Sequence, residues 1–401
     1  MPETHVFTCA AANYLPKVRV LFASLAEHEP QWRRHLVLIE DEQVQVAAGD
    51  AGAHEVHRLA DLDIAQWHPW SFCHSLVELA TAAKPFALKA LLQRPDSGAV
   101  VYLDPDTVAF SPLPEIAAGI DTASVLLTPH LLAPETALGR AVDNEVTSLC
   151  HGVYNLGFIA VAADATGQAF AEWWSQRLYR FCRDDIPHGL FTDQRWIDLV
   201  PALFPGVAVL REPRLNAASW NLSQRELSVE NGQFLIAGQP LGFYHFTSID
   251  SGSHDLMALK NSAYPPALRE LVDWYRGQLD SAPETTPWSL GDYADGTAIP
   301  AAHRRIYRDS PALQERHPQP YGDVQLKALL QERAAAGEGA SPALEPLSLG
   351  FGAADDSLDS AKLARLLRAV LANPRLGGAV ARRAAQVLGR EGIGGVLRRL
   401  R

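Results

Sequence analysis

The sequence predicts an α/β fold: a mixed, mostly parallel sheet with helices on both faces. Two observations predict it. Short apolar and β-branched runs alternate with amphipathic stretches of helical spacing through the first two thirds of the chain. One of those runs, AVVYLDPD, stops abruptly in two acids, Asp104 and Asp106, where open α/β sheets gather their ligands, at strand carboxyl ends.

The elements follow in order. THVFTCAA is a strand by its β-branched content, and it runs into ANYLPKVRVLFASLAEHE, where Leu15, Val18, Leu21, Phe22 and Leu25 recur at helical spacing. HLVLIE is a second strand. SLVELATAAKPFALKALLQR reads as two helical pieces divided before Pro85. AVVYLD, ASVLLTPH and YNLGFIAVAA are strands, and the last leads into the amphipathic QAFAEWWSQRLYRFCR. FTDQRWIDLVPALF reads as a short helix before the strand GVAVLRE. From residue 281 the composition shifts to Pro, Gly, Ser, Ala and acids. The expected organisation is a catalytic body over 1–280, an irregular or helical extension over 281–333, a linker over 334–358 and a basic helical tail over 359–401.

The net charge of −11 conceals a split: residues 361–401 hold ten basic residues against Glu391 alone, which leaves the other 360 residues at −20. Cys9, Cys73, Cys150 and Cys182 are widely spaced in apolar surroundings, without disulfide or zinc spacing, and read as reduced core residues. The opening MPETH has neither the basic start nor the apolar stretch of a signal peptide, and no long apolar run occurs, so the expected location is cytoplasmic. There is no Walker A or GxGxxG pattern.

Two carboxylates this close repel unless protonated or bridged by a cation. Three readings compete for LDPD. It is an acidic turn, which Pro105 suits. It is the DxD opening of a haloacid-dehalogenase-like phosphatase, with Asp104 as nucleophile, Mg²⁺ as cofactor and Thr128 in SVLLT as the later threonine. Or it is a pair holding Mn²⁺ or Mg²⁺ against a nucleotide diphosphate.

The surroundings favour the third. In order along residues 4–250, the chain resembles the retaining GT-A-fold nucleotide-sugar glycosyltransferases, in particular the family 8-like group of bacterial lipopolysaccharide galactosyltransferases and glycogenin. Asn13 and Tyr14 in AAANYLPK match the group's Asn-Tyr, and AKPFALKALLQRPDSGAVVYLDPD its helix-then-DxD segment. YNLGFIAV matches the FNxGxxLx strand, with Asn155 and Gly157 in register. FTDQRWID carries the Asp-Gln pair at Asp193 and Gln194, and LGFYHFTS the late strand that presents a metal-binding histidine, His245. There are departures. Ala10-Ala11-Ala12 stands where the group usually has acidic residues, and HFTSIDSGSH replaces its HFxG and following lysine. The donor-binding arginine ahead of DxD has Lys84 as its substitute, with Lys89 on the same helix as competitor.

The resemblance implies a GT-A fold and transfer of a hexose, with retention, from a nucleotide sugar, expected to be a UDP-sugar, to a saccharide or lipid-linked acceptor. It implies Asp104, Asp106 and His245 as ligands of Mn²⁺ (or Mg²⁺), a set of two oxygens and one nitrogen that suits such an ion. It implies Asn13, Tyr14, Lys84, Asp104, Asp106, His130, Asn155 and Gly157 at the donor, Asp193 and Gln194 at the reacting sugar, and Asn216 and Trp220 against a sugar ring. Each residue also has a plain structural reading: His245 at the edge of the core, Asp193 as a helix cap, Trp220 as a buried anchor among turn asparagines. A catalytically inactive descendant that only binds sugar nucleotides remains the third alternative.

In the tail, Leu363, Leu366, Leu367, Val370 and Leu371 recur at helical spacing beside Lys362, Arg365 and Arg368, with Arg382 and Arg383 beyond Pro374. Apolar and basic faces without acids suit an anionic membrane surface, and the resemblance implies peripheral attachment on the inner face of the membrane in bacterial surface-polysaccharide synthesis. The alternative is a helix folded onto the acidic body. A nucleic-acid partner is not expected, since no other part of the chain is a basic platform.

Overall fold

A computed structural model of the chain describes residues 2–280 and 287–340. The linker from 341 on and the tail over 359–401 lie outside the described residues.

The main sheet is built from β1 (Glu3–Ala10), β2 (Arg33–Leu38), β3 (Glu55–Arg58), β4 (Ser97–Leu103), β6 (Val125–Pro129), β7 (Tyr154–Ala162) and β8 (Val207–Val209), with β5 (Thr107–Ala109) leaving it for a smaller sheet. The strand order is β8-β6-β7-β4-β1-β2-β3. All neighbours are parallel except that β7 runs antiparallel to β4 and β6. The expected α/β architecture, mostly parallel and flanked by helices, is the one observed.

Period-two alternation splits the core. Val6, Leu36, Val101 and Phe158 point to one face, where helix α1 (Leu15–His28) lays down Val18, Leu21, Phe22 and Leu25. Phe7, Val37, Tyr102 and Ile159 point to the other, against α2 (Leu76–Leu92) and α3 (Ala165–Phe181), which brings Phe170, Trp174 and Leu178. Helix α2 begins on Ser75, whose hydroxyl accepts from Glu78 N while the Glu78 carboxylate accepts from Ser75 N.

Contrary to the sequence expectation, Pro85 does not divide α2; the helix continues through it. A proline inside a helix costs about 3 kcal/mol, but Leu79, Ala82, Ala83, Leu88, Leu91 and Leu92 are all buried along the same piece. At about 1.5–3 kcal/mol for each large apolar side chain buried, packing outweighs the break.

Beyond the carboxyl ends of the main strands lies a three-stranded sheet in the order β9 (Ala217–Ala218), β10 (Phe243–His245), β5. The antiparallel pairing of β10 with β5 sets His245 opposite Thr107. Helix α4 (Pro266–Asp280) packs behind this sheet, with Tyr275 stacked on Phe246 at 3.9 Å between ring centroids. Residues 287–340 form helices at Ala301–Arg308, Pro311–Arg316 and Val324–Ala335 around Phe72, with the buried Arg304 guanidinium donating to the carbonyls of His74 (2.9 Å) and Leu290 (2.7 Å). Among the described residues no helix is long and apolar enough to cross a membrane.

Candidate metal and diphosphate site

The turn after β4 is fixed from several sides. Thr107 N (3.0 Å) and Thr107 Oγ1 (2.7 Å) both donate to the Asp104 carbonyl, and Asp104 N donates to Gly157 O at 3.0 Å. Phe246 N donates to the Asp106 carbonyl at 2.8 Å, tying the turn to β10. The two carboxylates and the His245 imidazole thereby converge: His245 Nε2 stands 3.1 Å from Asp106 Oδ1 and 3.6 Å from Asp104 Oδ2. These three residues offer ligand atoms that all lie within 4.8 Å of one another.

The orientation of His245 comes from β7. Its Nδ1 donates to Asn155 Oδ1 at 3.3 Å, which leaves Nε2 facing the carboxylates. Burial pulls the imidazole pKa down, but Asp106 and Asp104 outweigh it and hold it above its ordinary value. A Cβ at residue 157 would lie 2.5 Å from His245 Nδ1 and 2.7 Å from Asn155 Oδ1, so Gly157 is the space the ring occupies. Asn155 also accepts from Gly157 N (3.0 Å) and from Asn216 Nδ2 (3.0 Å), and its own amide donates to His130 Nε2 at 3.1 Å. Asn216 reaches this position with φ at 52°, in the left-handed region that asparagine tolerates. Burial pushes His130 down to about 4, in keeping with a neutral ring that accepts at Nε2. The Trp220 ring meets both His130 (5.7 Å) and His245 (5.4 Å) edge-on.

Behind the triad runs a buried ion-pair chain. Lys84 Nζ lies 2.8 Å from Asp193 Oδ2 and 3.3 Å from Asp104 Oδ1, donates to Leu156 O at 3.1 Å, and sits over the Tyr102 ring at 4.2 Å. Tyr102 Oη donates to Asp104 Oδ1 at 2.5 Å. Burial would lower the lysine pKa, but the two aspartates raise it well beyond the usual lysine range. Lys84 and Asp193 are both about 2% exposed, so in this structure they underpin Asp104 rather than line an open surface. The competitor Lys89 points to the other side of α2 and pairs with Glu172 at 2.6 Å. Gln194 is held by the backbone, Oε1 accepting from Leu156 N (3.1 Å) and Nε2 donating to His151 O (3.0 Å).

Asn13 and Tyr14 stand to one side, at the head of α1. Asn13 Oδ1 is buried without a hydrogen-bond partner, and Tyr14 carries the Lys17 ammonium over its ring at 4.4 Å. The residues Ala10, Ala11 and Ala12 are buried, and Ala12 N donates to Glu40 Oε1 at 2.7 Å. Glu40 spends its second oxygen on Ser289 N at 2.8 Å.

Sequence reasoning missed three residues of this region: Tyr102, Glu40 and Lys17. Tyr102 is two residues before Asp104, so strand alternation alone puts both side chains on one face. Lys17 lies three residues after Tyr14 in a helix, the spacing of surface neighbours. Glu40 closes a strand at the same sheet edge as Asp104, but nothing in its local sequence separates it from an ordinary acidic loop.

No established family pattern matches the chain. Two curated relatives do. One is the uncharacterized protein YfnF of Bacillus subtilis (strain 168), 31% identical over 172 residues, which are 42% of this chain and 56% of that protein. The chain thus spans little more than half the length of that relative. The other is the uncharacterized protein YfnD of the same organism, 26% identical over 327 residues, 76% of this chain and 98% of YfnD. Among solved structures, the galactosyltransferase LgtC in complex with donor and acceptor sugar analogs overlaps at a TM-score of 0.40 with 14% identity, covering 71% of this chain and 97% of that one. Mouse xyloside xylosyltransferase 1 in its apo form overlaps at 0.36 with 15% identity, covering 62% and 98%. These overlaps are loose.

Proposed function

We propose that this protein is a metal-dependent glycosyltransferase that moves a hexose from a nucleotide sugar, a UDP-sugar in the first instance, to a saccharide or lipid-linked acceptor. The observation that carries the reading is the convergence of Asp104, Asp106 and His245 at the carboxyl end of β4. Two carboxylate oxygens and one imidazole nitrogen, with the other ring nitrogen already committed to Asn155, form a donor set that fits Mn²⁺ or Mg²⁺. Such an ion, when bound, supplies Lewis-acid stabilisation of the diphosphate leaving group.

The chain's own residues do the rest. Lys84 and Tyr102 hold Asp104 in place. Asn155, Gly157 and Asn216 set the ring of His245. In the transfer, the bond from C1 to the phosphate oxygen breaks with its electron pair staying on the diphosphate. The acceptor oxygen bonds to C1 and its proton passes to the departing phosphate. The Gln194 amide is a feeble nucleophile, so a front-side route suits it; its ends are fixed on Leu156 N and His151 O, which leaves the second lone pair of Oε1 for the positive charge that grows at C1. The retaining course is proposed on the family resemblance alone. The phosphatase alternative fits the geometry less well: Asp104 Oδ1 already accepts from Tyr102 and faces Lys84, and Thr128 Oγ1 accepts from Asn216 at 2.8 Å.

The test is direct. Incubation with Mn²⁺ and a panel of nucleotide sugars should release nucleoside diphosphate slowly, and EDTA should stop it. Phosphatase turnover with no attack on any nucleotide sugar would replace this reading with the runner-up. The location proposed is cytoplasmic, with residues 361–401 attaching the protein to an anionic inner membrane face. Flotation with vesicles of anionic lipid should fail for a chain ending near Ser360, and equal flotation of both forms rejects the anchor.

A further inference from the structure

Lys17 is buried to 7% exposure on the first turn of α1, and the site as described gives it no task. Its ammonium lies 2.5 Å from Asp250 Oδ2. That partner differs from those of Lys84. Asp193 is buried, whereas the Asp250 side chain is 64% exposed, on the loop that follows His245. Asp250, being exposed, can return to water when it leaves the lysine, so a ligand oxygen that takes its place strands no buried carboxylate. The ammonium also lies over the Tyr14 ring at 4.4 Å, so it is held between the head of α1 and the loop after His245. On the same side of the site, Tyr275 from α4 is fully buried and its hydroxyl has no hydrogen-bond partner. Its ring stacks on Phe246 at 3.9 Å, and Phe246 N donates to the Asp106 carbonyl at 2.8 Å, which places Tyr275 behind the same corner. The segment FTSIDSGSHD over residues 246–255 contains no lysine or arginine of its own.

A diphosphate needs more than one cation. With His245 neutral, Asp104, Asp106 and Asp193 against Lys84 leave two negative charges, which a divalent ion balances and no more. Of the charged groups named around the triad, none is then left over for the diphosphate itself. We propose that Lys17 supplies it: on donor binding its ammonium exchanges the exposed Asp250 carboxylate for a phosphate oxygen of the nucleoside diphosphate, with the unpaired Tyr275 hydroxyl as a second donor in that corner. This inference rests on the glycosyltransferase reading and names a phosphate ligand for it. It also gives Asp250 a role, as the counter-ion that keeps a buried lysine charged while no donor is present.

The test is binding, not turnover. Titration calorimetry with Mn²⁺ and UDP, GDP, ADP or dTDP first finds the diphosphate that the wild-type protein takes, with the matching nucleoside as the phosphate-free control. Lys17→Met should then lose about tenfold or more in affinity for the diphosphate, the range of a hydrogen bond to a charged group, with nucleoside affinity unchanged. Lys17→Arg should retain most of the affinity. Asp250→Asn should bind the diphosphate as tightly as the wild type or more tightly, because the competing carboxylate is gone. Unchanged diphosphate affinity in Lys17→Met, or a loss in Asp250→Asn as large as in Lys17→Met, overturns the proposal and leaves the glycosyltransferase reading standing. If the wild type binds none of the diphosphates, both fall. Should Lys17→Met fail to fold, Asp250→Asn decides alone: diphosphate affinity equal to the wild type's or higher supports the exchange, and a loss of about tenfold or more overturns it.

Discussion

The sheet carries a cluster of ligand-type side chains at each end, and by proximity alone the two look equivalent. At the carboxyl end stand Asp104, Asp106 and His245; at the amino end His35, Glu55 and His57, with His5, Glu3 and Asp96 alongside. Their chemistry differs. At the amino end the imidazoles are spent on one another, His5 Nδ1 to His35 Nε2 at 2.9 Å and His35 Nδ1 to His57 Nε2 at 3.0 Å, a relay that neutral rings satisfy. Glu55 is gripped by Arg33 at 2.9 Å and by both Arg94 nitrogens, at 2.9 and 3.2 Å. A cation would displace these bonds and face two guanidinium groups. At the carboxyl end the two carboxylates face an imidazole nitrogen; Lys84 is shared between Asp104 and Asp193, and Lys17 is paired away on Asp250. Closeness of nitrogen and oxygen atoms does not make a metal site; unspent lone pairs and uncompensated charge do.

The comparison breaks most sharply under substitution. Asp106→Asn should abolish tight Mn²⁺ binding, read by the paramagnetic resonance signal of free Mn²⁺. It should slow donor cleavage by about a thousandfold, the upper range for losing one preorganised electrostatic element. His57→Asn at the other end should leave both measurements unchanged. Equal losses from the two variants would erase the distinction.

The next effect is on stability. Lys84→Met leaves the buried Asp193 and the partly exposed Asp104 without their common counter-ion, and breaking a buried pair such as Lys84–Asp193 costs about 3–5 kcal/mol. A denaturant midpoint lowered accordingly is the expected reading. Adding Asp193→Leu to Lys84→Met should restore much of it, since the remaining carboxylate, Asp104, is a quarter exposed.

How much of this contrast was legible in the sequence follows from where the information lies. Asp104 and Asp106 are local: two acids ending an apolar run mark a strand tip whatever the rest does. His245 was legible only through its place in an ordered series of motifs, because a histidine in HFTS has no spacing of its own. Lys84 was found as the basic residue ahead of the acidic pair, but its burial and its bond to Asp193 were not, since both depend on how α2 lies across the sheet. The amino-end histidines were invisible. His5, His35 and His57 are far apart in sequence, and only the parallel stacking of β1, β2 and β3 brings the rings together. Continuity of α2 through Pro85 was missed for a related reason: propensity is local and the burial that overrides it is not.

The amino-end cluster predicts an acid response. Burial first, then the neighbouring His57 and His5, push His35 down to about 3, against Glu55, which raises it, and Arg94, which lowers it further. His5 is likewise lowered by burial, with Asp96 and Glu3 opposing and Arg94 and Arg33 assisting; burial lowers His57 too. The folded chain therefore refuses protons that the unfolded chain accepts below its ordinary imidazole value. The stability from His35 is complete above about pH 6.5 and is lost as the pH falls toward about 3. Between neutrality and pH 4 this amounts to about 3 kcal/mol. His35→Asn should flatten that part of the stability profile, measured by urea unfolding at successive pH values, whatever its effect at pH 7. A profile as steep as the wild type's would show that the relay is already charged in the folded state.

The smallest effect separates holding a ligand from being one. Asn155→Ala removes the acceptor of the His245 Nδ1 proton but no atom of the triad. Loss of such a supporting hydrogen bond typically weakens metal affinity by about 10- to 100-fold. Mn²⁺ titration of Asn155→Ala should fall in that range, well short of the loss in Asp106→Asn. Gly157→Ala approaches the same ring from the other side, because its new Cβ would lie 2.5 Å from His245 Nδ1 and the imidazole must shift. Both variants should weaken the ion in step with donor cleavage and leave acid unfolding as in the wild type, since neither touches the histidine relay. If Asn155→Ala binds Mn²⁺ as tightly as the wild type, the pairing of β10 with β5 is enough to aim the His245 ring, and β7 does not orient it.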